Sequence, residues 1–416
     1  MSDLNSFTWV FLAALAVATA TRLWLARRQI RHVRAHRDAV PPMFAETIPA
    51  EAHRKAADYT VAKTRLSTLA TLLDALVLLG LTLGGGVQLL SHLAALAFAP
   101  GTLLHGTALL VGLFLVQFAL HLPFSLYRTF VIEQRFGFNR MTARLYLTDL
   151  AKQLLLAALI GVPLLMAILW LMERMGEFWW LYVWLTLNVF LLFLQLLIPT
   201  VVMPWFNKFT PLTEGELAER VRGLLQRCGF RSRGVFLMDG SKRSSHGNAF
   251  FTGFGASKRI VLFDTLVNRL DPPEVEAVLA HELGHYKLHH VLKGLALGAA
   301  LSLAGLWILG QLIDRPWFYS GLGVATPSLA AALALFLLAV PEFTFFLDPL
   351  ASLLSRKHEF EADGYATSNA DSTQLAQALV KLYRDNASTL TPDPLHSAFY
   401  DSHPPAAVRI SRLRTA

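Results

Sequence analysis

His281-Glu282-Leu283-Gly284-His285 combines residues that can do chemistry at a spacing that lets them act together. Histidines at i and i+4 project from one helical face, a turn apart. Their neutral imidazole nitrogens can hold one zinc ion. Glu282, beside the first histidine, can reach water on that ion. It is placed to act as general base toward the water and then as acid toward a leaving amine, which is the chemistry of peptide hydrolysis. A catalytic zinc takes a third protein ligand and keeps a fourth position open. The extended form of this motif would put a third histidine at position 291, which is Val291. His289 and His290 lie a turn further along and read as interfacial residues.

The better third ligand is Glu359, in His358-Glu359-Phe360-Glu361-Ala362-Asp363. Glu359 and Asp363 are four apart and share a helical face. Glu359 can bind the metal while Asp363 accepts a hydrogen bond from a ligand histidine. The same spacing also fits an ordinary charged helix following a membrane span. Upstream, Asn248–Phe254 reads as a strand that either pairs edge-on with an extended substrate peptide or is an ordinary sheet strand. His403 and Arg409 in the tail have the chemistry to stabilise an oxyanion or bind a carboxylate, or to be surface residues.

These residues need elements to position them, and the composition says those elements lie in a membrane. Apolar residues make up 54% of the 416, and charged residues 16%, against roughly 25% in soluble domains. Seven apolar runs have the length that crosses a bilayer: 7–25, 67–90, 102–126, 152–172, 178–203, 291–313 and 327–349. The connection after the first carries nine Lys or Arg, from Arg27 to Arg65. That after the third carries Arg128, Arg135, Arg140 and Arg144. The opposite connections carry none, Arg174 alone and Arg315 alone. The positive-inside rule then puts the N-terminus outside and both 204–290 and the tail from about 350 in the cytoplasm. The net charge of +8 follows this topology, so no nucleic-acid partner is expected. Basic residues follow the first apolar run rather than precede it, so that run reads as a retained anchor. Cys228 is the only cysteine, which excludes an internal disulfide.

Asp74, His105, Gln117, His121, Asn188 and Gln195 fall in or near the spans. They fit either local helix–helix hydrogen bonds or a shared wet interior. Between the fifth and sixth spans, Thr213 and Glu216 form a capping-box pattern before a helix to about Arg227. Strands are expected at Val235–Met238, Asn248–Phe254 and Arg259–Phe263, punctuated by Gly240, Gly247, Gly253 and Gly255. Asp271-Pro272-Pro273-Glu274 starts a helix that carries the His-Glu motif and shows no break before the sixth span. Helices are also expected at 353–368 and 373–386. The organisation is therefore 1–203 membrane helices with loops, 204–290 a metalloprotease insert, 291–349 two further membrane helices, and 350–416 a tail with the third ligand.

Together these segments resemble the integral-membrane zinc CAAX proteases (type 1 CAAX prenyl endopeptidases), over nearly the whole chain. Phe130–Asn139 is similar to that family's loop after the third span, Pro204–Leu212 to its segment after the fifth, and Asp239–Ala249 to its substrate-strand approach. Ser355–Asp363 matches its third-ligand motif and Ser402-His403-Pro404-Pro405 with Arg409 its tail motif. The resemblance implies an all-α polytopic fold whose seven helices enclose a water-filled chamber. A small α+β, gluzincin-like protease domain would sit at the cytoplasmic side. It also implies one zinc on His281, His285 and Glu359, Glu282 as the catalytic carboxylate, and Asp363 in support. His403 would serve the transition state, and Asn248, Ala249 and Arg409 the substrate. The implied substrate is a peptide or protein with a prenylated C-terminus, in a bacterial inner membrane or the endoplasmic reticulum. A membrane quality-control metalloprotease is a second enzyme reading, and a zinc-binding transporter or receptor the non-enzyme one. The last gives no reason for Glu282 beside the ligand.

Overall fold

The computed structural model describes residues 5–230, 232, 234–252 and 258–415. Among these residues, seven helices have the length and apolarity to cross a membrane: Ser6–Ala35, Ala50–Leu81, Leu103–Glu133, Ala143–Arg174, Gly176–Phe206, His290–Leu312 and Leu329–Asn369, spans 1 to 7 here. The shortest has 23 residues, enough at about 1.5 Å per residue to cross a core about 30 Å thick.

Several boundaries differ from expectation, each for a local reason. Span 2, expected at 67–90, ends at Leu81 before the triplet Gly84-Gly85-Gly86. Gly85 there takes φ 76° and a short helix Gly86–Ala95 follows. Spans 3, 4 and 5 each contain a π-helical stretch: Arg128–Glu133, Ala157–Gly161 and Ile198–Val202. Pro163 lies two residues beyond the second and Pro199 lies within the third. A missing N–H there widens the turn instead of ending the helix. Span 7, expected to stop at 349, passes through a tight turn at Phe345–Leu347 into the helix Asp348–Asn369, so Glu359 rides on its rigid extension.

Span 1 packs on spans 2 and 7, span 7 on span 3, and spans 3 to 6 pack in succession. Only 6% of the apolar windows of spans 5 and 6 is buried, against 44% for span 7. Those two spans form a wall one helix thick rather than part of a solid bundle. A cavity of about 610 Å³ between spans 1, 2 and 7 is lined by Thr64, Ser67, Thr68, Thr71 and Asp74. Another of about 460 Å³, between spans 3 and 4, includes His121 and Asp149. Asp74 and His121 meet at 2.9 Å. His105, by contrast, bonds the Ser91 carbonyl and Asn188 the Trp184 carbonyl. The helix–helix reading holds for His105, Asn188 bonds within its own helix, and Asp74 and His121 line cavities.

Among the described residues the soluble part is built on four strands: β1 Phe209–Pro211, β2 Val235–Met238, β3 Ala249–Thr252 and β4 Arg259–Phe263. Their order is β1-β2-β4-β3, with β2 and β4 parallel and the outer pairs antiparallel. β1 was not anticipated. Of the strand expected at Asn248–Phe254, Gly253 and Phe254 lie outside the described residues, as does Gly255. The Thr213–Glu216 capping box does not form. Gly215 at φ 92° is the N-cap of helix Glu216–Arg227, and Thr213 lies too far upstream to cap it.

Helix Pro272–Lys287 starts as expected, with Glu274 accepting the Asp271 N–H at 2.8 Å. It does not run unbroken into span 6. His289 takes a left-handed conformation (φ 58°, ψ 30°) and span 6 begins anew at His290. Val275, Leu279 and Leu283 of this helix are buried in one hydrophobic cluster with Leu224, Leu379 and Ile410. A fully buried leucine contributes about 1.5–3 kcal/mol, so this core holds the His-Glu helix firmly.

Candidate active site and metal centre

Helix Pro272–Lys287 lies side by side with the extension of span 7. The contact brings Glu359 opposite His281 and His285. The two Nε2 atoms are 3.1 Å apart. Glu359 Oε1 lies 3.3 Å from His285 Nε2, and Glu359 Oε2 lies 3.5 Å from His281 Nε2. Ligand atoms at about 2.0–2.1 Å on a tetrahedral ion stand roughly 3.3 Å apart, so this triangle has the dimensions of a zinc site. The donors also fit chemically. Two imidazole nitrogens and a carboxylate oxygen, all within reach of one another, are the donor set of a catalytic zinc.

Behind the ligands, Asp363 Oδ1 accepts from His281 Nδ1 at 2.8 Å, leaving His281 Nε2 free to ligate. Arg409 donates to both Asp363 oxygens, from Nε at 2.8 Å and Nη2 at 2.7 Å, and its Nη1 is 3.1 Å from Glu359 Oε2. Arg409 is 4% exposed. Expected at the substrate, it lines the cleft in front of the ligands as well as bonding their carboxylate.

In front of the ligands is a cleft of about 360 Å³ lined by Asn248, Ala249, His281, Glu282, Tyr383 and His403. Burial holds the Glu282 carboxyl above the usual carboxylate range, against the opposing pull of His281 and His285. That suits a group that must both take and return a proton near neutrality. Among the described residues β3 pairs only with β4, so its other edge is free, and Asn248 and Ala249 open onto the cleft. His403 Nε2 is 3.4 Å from Glu359 Oε1 and its Nδ1 is bonded by Ser402. Leu375, Leu379, Leu382 and Tyr383 form the cleft's apolar wall. None was singled out from the sequence, although their i, i+4, i+7, i+8 spacing on helix Ser372–Asp385 marks one face. Of the two histidines read as interfacial, His289 is exposed at the helix break, while His290 is buried and turned back toward the site.

Residues 29–208 match the family model for the CAAX prenyl protease N-terminal region with five membrane helices, and residues 211–416 match peptidase family M48. The chain is 34% identical to CAAX prenyl protease 1 of Saccharomyces cerevisiae over 405 residues, covering 90% of this chain and 88% of that one. The chain belongs to the CAAX prenyl proteases of peptidase family M48. It is also 31% identical to the human CAAX prenyl protease 1 homolog over 454 residues, covering 98% and 95% of the two chains. The crystal structure of S. mikatae Ste24p superposes with a TM-score of 0.90 at 31% identity, covering 98% of this chain and 99% of that one. This CAAX prenyl protease homologue is therefore a multi-pass membrane zinc metalloendopeptidase with an M48 domain set against a chamber of seven spans.

Proposed function

We propose that this protein removes the C-terminal tripeptide from prenylated proteins, with its active site on the cytoplasmic side of the membrane and its N-terminus outside. The observation that carries the reading is the triangle of His281, His285 and Glu359 beside Glu282, at a cleft bordered by a free strand edge and set against membrane spans. The orientation rests on the basic residues crowded into the connections after spans 1 and 3.

In this account His281, His285 and Glu359 hold one zinc, and the zinc supplies Lewis acidity toward the scissile carbonyl and toward water. The β3 edge at Asn248 and Ala249 holds the substrate backbone extended across the cleft. The apolar wall of Leu375, Leu379 and Leu382 takes an aliphatic side chain on the leaving side. Glu282 removes a proton from the attacking water and delivers it to the nitrogen of the departing tripeptide. His403 donates to the oxygen that gains charge in the transition state. Asp363 and Arg409 position the ligands, and Arg409 also faces the substrate from the cleft wall.

Matched peptides with and without a C-terminal prenyl thioether test the substrate, with products read by mass spectrometry. The prenylated peptide is expected to lose its last three residues much faster. Equal rates on both would overturn the prenyl requirement and favour a protease of membrane polypeptides at large.

A further inference from the structure

We propose that His290 and Glu361 form a relay that fixes the tautomer and orientation of His285, making His290 a positioning residue of the metal centre. The inference rests on His285 being a ligand through Nε2, as in the proposed function. With Nε2 facing Glu359 Oε1 at 3.3 Å and His281 Nε2 at 3.1 Å, the lone pair of His285 belongs there and its proton belongs on Nδ1. That Nδ1 lies 3.1 Å from His290 Nδ1. Only one of two facing nitrogens can carry the proton, so His290 accepts at Nδ1 and carries its own proton at Nε2. His290 Nε2 is 2.9 Å from Glu361 Oε2, which accepts it. Each donor thus meets an acceptor from His285 through His290 to Glu361. The ring of His358 stacks on His290 at 4.1 Å and 10°, which holds the imidazole plane.

The helix break makes this possible. In an uninterrupted α-helix residue i+5 stands about 140° around the axis from residue i, facing away from it. The left-handed His289 redirects the chain so that His290 folds back on His285. The two histidine ligands are therefore held differently: His281 directly by Asp363, and His285 through an intervening imidazole by Glu361. His290, His358 and Glu361 also lie close enough to suggest a second metal site. The parallel rings of His290 and His358 argue against it, because an ion cannot lie in both ring planes at once.

The test is zinc affinity of the full-length protein in detergent, measured by chelator competition, together with the visible spectrum of the cobalt-substituted form. His290→Ala is expected to weaken zinc binding by about 10–100-fold and to alter the cobalt bands, with the melting temperature of the metal-free protein unchanged. His290→Asn places a carboxamide oxygen where Nδ1 stood and is expected to restore most of that loss. His358→Ala is expected to change zinc affinity far less than His290→Ala. Wild-type zinc affinity in His290→Ala overturns the relay. An equal loss in His358→Ala also overturns it, in favour of a metal ion shared by the three side chains. His285→Ala separates the two levels: zinc kept at full affinity there sinks the ligand assignment itself, whereas its loss there with none in His290→Ala sinks only the relay.

Discussion

Gly284 lies directly against Ala362: a Cβ at position 284 would fall 3.0 Å from the Ala362 Cα and 3.1 Å from its carbonyl oxygen. Those neighbours are backbone and cannot swing aside. The glycine between the two histidine ligands is thus what lets the His-Glu helix approach the extension of span 7 closely enough for Glu359 to complete the metal triangle. Gly284→Val is expected to push the helices apart, destabilise the protein by about 1–3 kcal/mol and weaken zinc binding. Thermal unfolding and chelator competition on one sample check both. Wild-type values for the pair would show that the approach has slack.

Asp363 should matter more than its distance from the substrate suggests. It accepts from His281 and from two nitrogens of Arg409, all buried. Asp363→Ala frees the orientation of His281 and leaves the buried Arg409 guanidinium with Glu359 as its remaining carboxylate. Zinc affinity is expected to fall about 10–100-fold. Removing one partner of a buried ion pair costs up to about 5 kcal/mol, so the melting temperature should fall too. A variant that loses activity with metal and stability intact would place Asp363 in the chemistry instead.

His403 makes the opposite prediction. It touches the site only at its edge, 3.4 Å from Glu359. His403→Ala is expected to lower kcat by about 10²–10³-fold while zinc content and melting temperature stay at wild-type values. A change confined to KM would assign it to substrate binding.

How much of this was legible in the sequence depends on how local each feature is. The histidine pair and the Glu359–Asp363 pair rest on helical periodicity, which spacing reveals. Their meeting rests on tertiary contact and was supplied by family resemblance. The break at His289 carries no glycine or proline, and the chain spends a non-glycine residue in a left-handed conformation there. No local rule signals that, so His290 read as interfacial. Arg409 lines the cleft as the resemblance implies, but its bonds to Asp363 carry no signal in the sequence, because a tail arginine shows no sign of burial. The capping box at Thr213 failed because Gly215, with φ 92°, starts the helix two residues later. Span 3 runs past the expected 126 because its helix continues through the π-helical stretch Arg128–Glu133, where charged residues end the apolar run but not the helix.

The central claim is that Glu282 moves the proton at a zinc held by three other side chains, and Glu282→Gln tests it most directly. Zinc content and cleavage of a prenylated peptide should be measured on the same preparation. The account predicts full zinc occupancy with cleavage reduced by about 10²–10⁴-fold. Cleavage at the wild-type rate with zinc bound would contradict it.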